Sequence, residues 1–174
     1  MTYFVEFLAL QAGWFAAVLG AKHGWPLLGP VVCAVLVVRQ LYGAPNRGAL
    51  LWAATLVATG GFVLDTGLRA AGLVAYPFPD PLPGPFAPLW IAGLWALFGA
   101  LLGSSLSWLA RRPWLAVLLG AIGGPFSFWS ASRLDSTILT GPWSLPALAL
   151  GWGVATPLAA RLVNRIASPQ PSAS

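Results

Sequence analysis

The sequence predicts an all-α protein of the membrane: a polytopic bundle of about six transmembrane helices with a broken fifth helix. Three observations carry this prediction. The chain is 58% hydrophobic and only 7% charged, against about 25% charged for a soluble domain. Its mean hydropathy is +0.79. Its apolar residues fall into six long runs divided by short polar or proline-rich stretches. Nine basic and four acidic side chains cannot cover a soluble protein of 174 residues, so the solvent this composition expects is lipid. The pattern gives one transmembrane domain over residues 1–167 and a disordered tail, SPQPSAS, over 168–174.

The runs are Phe4–Ala21, Pro26–Tyr42, Gly48–Leu64, Ala87–Leu109, Pro113–Trp129 and Trp143–Ile166. Each holds about 17 residues or more, enough to cross a hydrocarbon core of about 30 Å at about 1.5 Å per residue. Helix is the expected conformation, because an unsatisfied peptide group is costly in hydrocarbon. The alternating ten-residue pattern of a membrane β-barrel is absent. Glu6 stands where a cleavable signal would be basic, so the first run reads as a span. Small residues recur every fourth position in the sixth run, at Ala147, Gly151, Ala155 and Ala159. Such a ladder lets helices approach closely and predicts this helix as the centre of the bundle. Pro157 within it predicts a kink.

Orientation follows from the basic residues. Arg39, Arg47, Arg111, Arg112, Arg161 and Arg165 fall at one end of the spans, and Lys22, Arg69 and Arg133 at the other. This asymmetry predicts that both termini lie in the cytoplasm. The net charge of +5 does not point to nucleic acid, because the basic residues are scattered singly at span ends and form no patch.

One stretch departs from a plain greasy scaffold: GAIGGPFSFWSASRLDS, Gly120 to Ser136. Gly123, Gly124 and Pro125 predict that the fifth helix loses regular hydrogen bonding between about Ala121 and Phe126. Interrupted membrane helices are tolerated where they line a cavity, and Ser127 beyond the break is a candidate hydrogen-bonding group. Ionisable residues inside a span are functional candidates by default. Asp65 and Arg69 are spaced to share one helical face. Arg133, with Asp135, follows the fifth run, and His23 follows Lys22 after the first. Asp65, Arg69 and Arg133 are expected to form one cluster at the outer mouth. The candidate ligand-binding set is therefore Asp65, Arg69, Ser127, Arg133 and His23. One His, one Cys and four scattered acids give no metal set, and no phosphate loop or nucleophile elbow implies a cofactor or a hydrolase.

The run WFAAVLGA at Trp14–Ala21, Asp65 closing the third span, Leu94–Trp95, and GGPFSFW at Gly123–Trp129 together resemble a family of small bacterial inner-membrane proteins, domain of unknown function 2878. GGPFSFW with its following basic residue is the most specific part. The resemblance covers nearly the whole chain and implies a multi-pass protein of the bacterial inner membrane. It brings no activity and assigns no catalytic residue, and the family's pattern has glycine or alanine where this chain has Ser132 and Asp135.

The leading functional expectation is a small binding or transport protein with a polar site toward the outer face. The alternatives are an intramembrane lipid-modifying enzyme using His23 or Asp65 as acid–base, and an accessory subunit of a larger membrane complex. The partners expected are membrane lipid, a small-molecule or lipid ligand, and a membrane-protein partner or second copy of the chain.

Overall fold

In the computed structural model, residues 2–82 and 84–167 are described; the tail expected to be disordered lies outside them. The described residues form six α-helices: α1 (Thr2–Lys22), α2 (Leu28–Gly43), α3 (Arg47–Ala70), α4 (Leu89–Leu102), α5 (Pro113–Arg133) and α6 (Ser144–Ala167). A short 3-10 turn, Ser107–Arg111, precedes α5. Two two-residue strands, β1 (Val74–Ala75) and β2 (Ile138–Leu139), pair antiparallel, with Val74 opposite Leu139. They tie the α3–α4 connection to the α5–α6 connection. The all-α class is as the sequence predicts, and α1, α3, α5 and α6 are long and apolar enough to cross a membrane.

Local sequence accounts for the helix starts. Asn46 caps α3, its Oδ1 accepting from Ala49 N at 3.0 Å. Pro113 opens α5, where its missing N–H is no loss. Asp80 organises the proline-rich connection, its Oδ1 accepting from both Leu82 N and Leu89 N at 3.0 Å. The second of these bonds fixes the entry into α4.

The fourth run does not form one long helix. It ends at Leu102, turns through Gly103–Leu106, and resumes as the 3-10 turn. Gly103 packs against Leu50 and Val163, where a side chain would not fit. Ser104 bonds back to the carbonyl of Ala100 and is itself held by Gln40. The helix that remains is apolar all round, with Trp90, Ile91, Trp95, Leu97 and Gly99 to Leu102 buried. A helix without a polar face belongs inside a bundle, and α4 touches α1, α2, α3 and α6. The centre is thus α4 and not the expected α6, whose small-residue face serves mainly α5 and α3.

A second correction concerns the break. α5 is continuous from Pro113 to Arg133, through Gly123, Gly124 and Pro125. The glycines have a packing role: a side chain at Gly120 would overlap Thr156 and the carbonyl of Trp152, and one at Gly124 would overlap the Trp152 ring. An unravelled turn would strand several peptide groups in hydrocarbon at several kcal/mol each. Keeping the helix forfeits one bond, to Pro125, at about 3 kcal/mol. Continuity is therefore the cheaper arrangement. Ser132 completes the picture by bonding Trp129 O within its own helix, at 2.7 Å.

Candidate functional site

Asp65 is the centre of the site. It lies in α3, fully buried. Its Oδ2 accepts a hydrogen bond from Trp95 Nε1 at 2.7 Å, while Oδ1 has no partner among the described residues. Trp152 of α6 faces the same carboxyl without making an aligned hydrogen bond, and its own Nε1 is likewise unpartnered.

The two indoles are held by an uncommon arrangement. Trp95 and Trp152 stack with centroids 4.1 Å apart and planes 29° from parallel. Gly61, one turn before Asp65, lies flat against Trp95, and Gly124 lies flat against Trp152; a methyl group at either would run into the ring. The order across the bundle is therefore Gly61, Trp95, Trp152, Gly124, drawn from α3, α4, α6 and α5. Glycine is required at both ends because only a bare backbone allows an indole this close. Trp95 is thereby fixed in position to donate to Asp65.

A narrow crevice of about 30 Å³ leads to this group, lined by Trp14, Trp90, Trp95, Ser127, Phe128 and Thr137 among others. That is space for about one or two waters. The seam between α1 and α5 closes over it by few links. Trp14 Nε1 donates to Ser127 Oγ at 2.8 Å, Ser136 Oγ donates to Val18 O at 2.7 Å, and Lys22 pairs with the exposed Asp135 at 3.0 Å. Thr137, on the wall of the crevice, bonds Phe128 O at 3.1 Å.

The structure joins some of the expected residues and separates others. Asp65 and Ser127 share the crevice. Arg69 turns away; its guanidinium donates to Phe86 O and lies 5.7 Å from the centre of the Tyr76 ring. Tyr76, in the connection beyond β1, is buried with its hydroxyl unpartnered. Burial, and then the charge of Asp65, raise its hydroxyl well above its usual range. Arg133 lies exposed over the Trp129 ring, 6.0 Å from its centre. His23 is exposed in the turn after α1. The cluster of Asp65, Arg69 and Arg133 does not form: Asp65 faces the bundle interior, and each arginine is held by a carbonyl or a ring outside it. Among the described residues no group of His, Cys, Asp and Glu is placed to hold a metal.

The residues missed from sequence are the indoles. Trp14, Trp95 and Trp152 fall well inside their helices, whereas Trp25, Trp114 and Trp143 fall near span ends. An indole N–H in mid-span needs an acceptor, and that requirement is the signal that points to Asp65 and Ser127.

No curated protein and no solved structure matches the chain. A family match covers residues 3–158, and over that length the chain belongs to the family described as protein of unknown function (DUF2878).

Proposed function

We propose that this is a small multi-pass protein of the bacterial inner membrane, both termini cytoplasmic, that binds or transports a species no larger than a water or a proton at Asp65. The observation that carries the reading is the carboxyl itself: fully buried, bonded to one indole, its second oxygen unpartnered at the foot of the crevice. A carboxyl in a membrane interior is expensive, and an oxygen of it left without a donor there keeps a bonding capacity open. The α1–α5 seam is the route of access, and Trp14 with Ser127 its closure. Arg69, Arg133 and His23 have no part in the binding step, because they lie aside from the crevice. The enzyme reading loses support from the exposed position of His23, apart from any carboxylate pair.

Infrared difference spectroscopy of the reconstituted protein, wild type minus Asp65→Asn, tests this directly. The Asp65 band is expected to respond reversibly to external pH, or to exchange with D2O within minutes, while the protein stays folded. A band that neither responds nor exchanges until the protein unfolds would show a sealed structural group and end the proposal.

A further inference from the structure

A groove of about 590 Å³ runs along the α5–α6 pair and shares no lining residue with the Asp65 crevice. It is lined by Val117 and Ala121 of α5, and by Ala149, Leu150, Gly153, Val154, Pro157 and Leu158 of α6, with Arg161 at one end. Every lining residue except Arg161 is apolar. Leu150, Val154 and Leu158 point outward, more than half exposed. From Ala149 to Arg161 the groove follows α6 for about 18 Å at about 1.5 Å per residue. One leaflet is about half of a hydrocarbon core of about 30 Å. The groove is thus as long as one leaflet is deep, with its single charge at the headgroup end.

The charge at that end is unbalanced. Arg165 follows Arg161 by one turn on the same face of α6, and Arg112 immediately precedes α5, whose N-terminus lies beside the C-terminal half of α6. Among the described residues the two salt bridges are Lys22–Asp135 and Arg39–Glu6. The one acid at this end, Glu6, is therefore taken by Arg39. Among the described residues Arg112, Arg161 and Arg165 meet no carboxylate. The first turn of α5 adds free N–H groups and the positive end of its dipole in the same place.

We propose that the groove holds an acyl chain of an anionic phospholipid, with the headgroup phosphate on Arg161 and its neighbouring arginines. The apolar wall takes the chain, and arginine takes phosphate with paired, charge-assisted bonds. A zwitterionic lipid would fill the wall equally but would bring no net negative charge to the arginines.

The test is native mass spectrometry of the full chain released from vesicles of equal parts phosphatidylglycerol and phosphatidylcholine. The wild type is expected to retain phosphatidylglycerol over phosphatidylcholine by about tenfold. Arg161→Gln, an exposed change that leaves the fold intact, should bring that preference down to about twofold or less. Val154→Trp, which fills the groove from its lipid-facing side, should lower retention of both lipids while leaving Arg161 in place. Equal retention of the two lipids by the wild type would overturn the proposal, as would unchanged preference in Arg161→Gln. So would a wild-type dimer that Val154→Trp dissociates, since the groove would then belong to a second copy of the chain.

Discussion

Among the described residues two carboxylate side chains are buried, those of Glu6 and Asp65, and the structure treats them differently. Glu6 of α1 is met on all sides. Arg39 of α2 donates to both its oxygens, at 2.9 and 3.2 Å, and Gln40 donates a further bond. Gln40 in turn accepts from Ser104 at 3.1 Å, in the turn after α4. The network joins α1, α2 and the end of α4 and leaves no oxygen of Glu6 free. Asp65 has one bond, from Trp95, and one oxygen with none. A satisfied buried group rigidifies the structure it joins, whereas an unsatisfied one keeps a bonding capacity in reserve. Glu6 is thus bound into the fold on every side, and Asp65 is the carboxyl on which the proposed function rests.

The largest effect expected tests the seat of the indoles. Gly61→Ala drives a methyl group into the Trp95 ring, and overpacking of this kind costs about 1–3 kcal/mol. The upper end applies here, because Trp95 is itself pinned between Gly61 and Trp152. The melting temperature in detergent should fall by several degrees, and the near-ultraviolet signal of the stacked indoles should change. A variant as stable as the wild type would show that the stack is loose.

Next comes Glu6→Gln, which keeps the shape but removes the charge that Arg39 answers. Hydrogen bonds to charged groups contribute about 1.5–3 kcal/mol. Arg39 is 46% exposed, so solvent screening places the loss at the low end, about 1.5 kcal/mol. Thermal unfolding with a matched Arg39→Gln variant, in a double-mutant cycle, checks the figure.

Asp65→Asn should behave in the opposite way. The amide oxygen can still accept from Trp95, and the charge whose burial is costly is gone. Stability should therefore change by less than about 1 kcal/mol, or rise, while binding at the crevice is lost. If Asp65→Asn destabilised the protein as much as Glu6→Gln does, the distinction between the two carboxylates would fail.

A modest effect is expected at the seam. Trp14→Phe removes the bond to Ser127, a loss of about 0.5–1.5 kcal/mol. Its stability cost should be slight, but the crevice should open more often. Deuterium exchange at Asp65 should therefore speed up by several-fold, and an unchanged rate would place the route of access elsewhere.

The six helices were legible because apolar runs in lipid have one good conformation. Asp65 was legible because a carboxyl in such a run is costly, whereas Ser127 was named for a helix break that the structure does not form. The continuity of α5 was not. Glycine lowers helix propensity and also permits close packing, and the sequence around Gly124 does not distinguish these until Trp152 is known to lie against it. Proline 125 misled for a similar reason: its cost is real, but the penalty for opening a turn in hydrocarbon exceeds it. The partnership of Glu6 with Arg39 spans 33 positions and follows from the α1–α2 contact rather than from any local pattern. Arg39 accordingly looked like a marker of orientation alone. The expected cluster of Asp65, Arg69 and Arg133 failed because a guanidinium can be satisfied by a carbonyl or an aromatic ring, as Arg69 and Arg133 both are.

The unequal helix lengths have a consequence for the surrounding bilayer. α2 has 16 residues, about 24 Å at about 1.5 Å per residue, and it turns Val31, Val35 and Val38 outward. α6, with 24 residues, reaches about 36 Å. Were α2 to cross the bilayer beside α6, lipid at α2 would have to thin by several ångströms, or α2 would have to draw its neighbouring loops into the interface, whereas lipid beside α6 would be met at full thickness or more. In that arrangement the protein would be a wedge in hydrophobic height. Such a wedge would deform the membrane unevenly around its perimeter and favour one tilt.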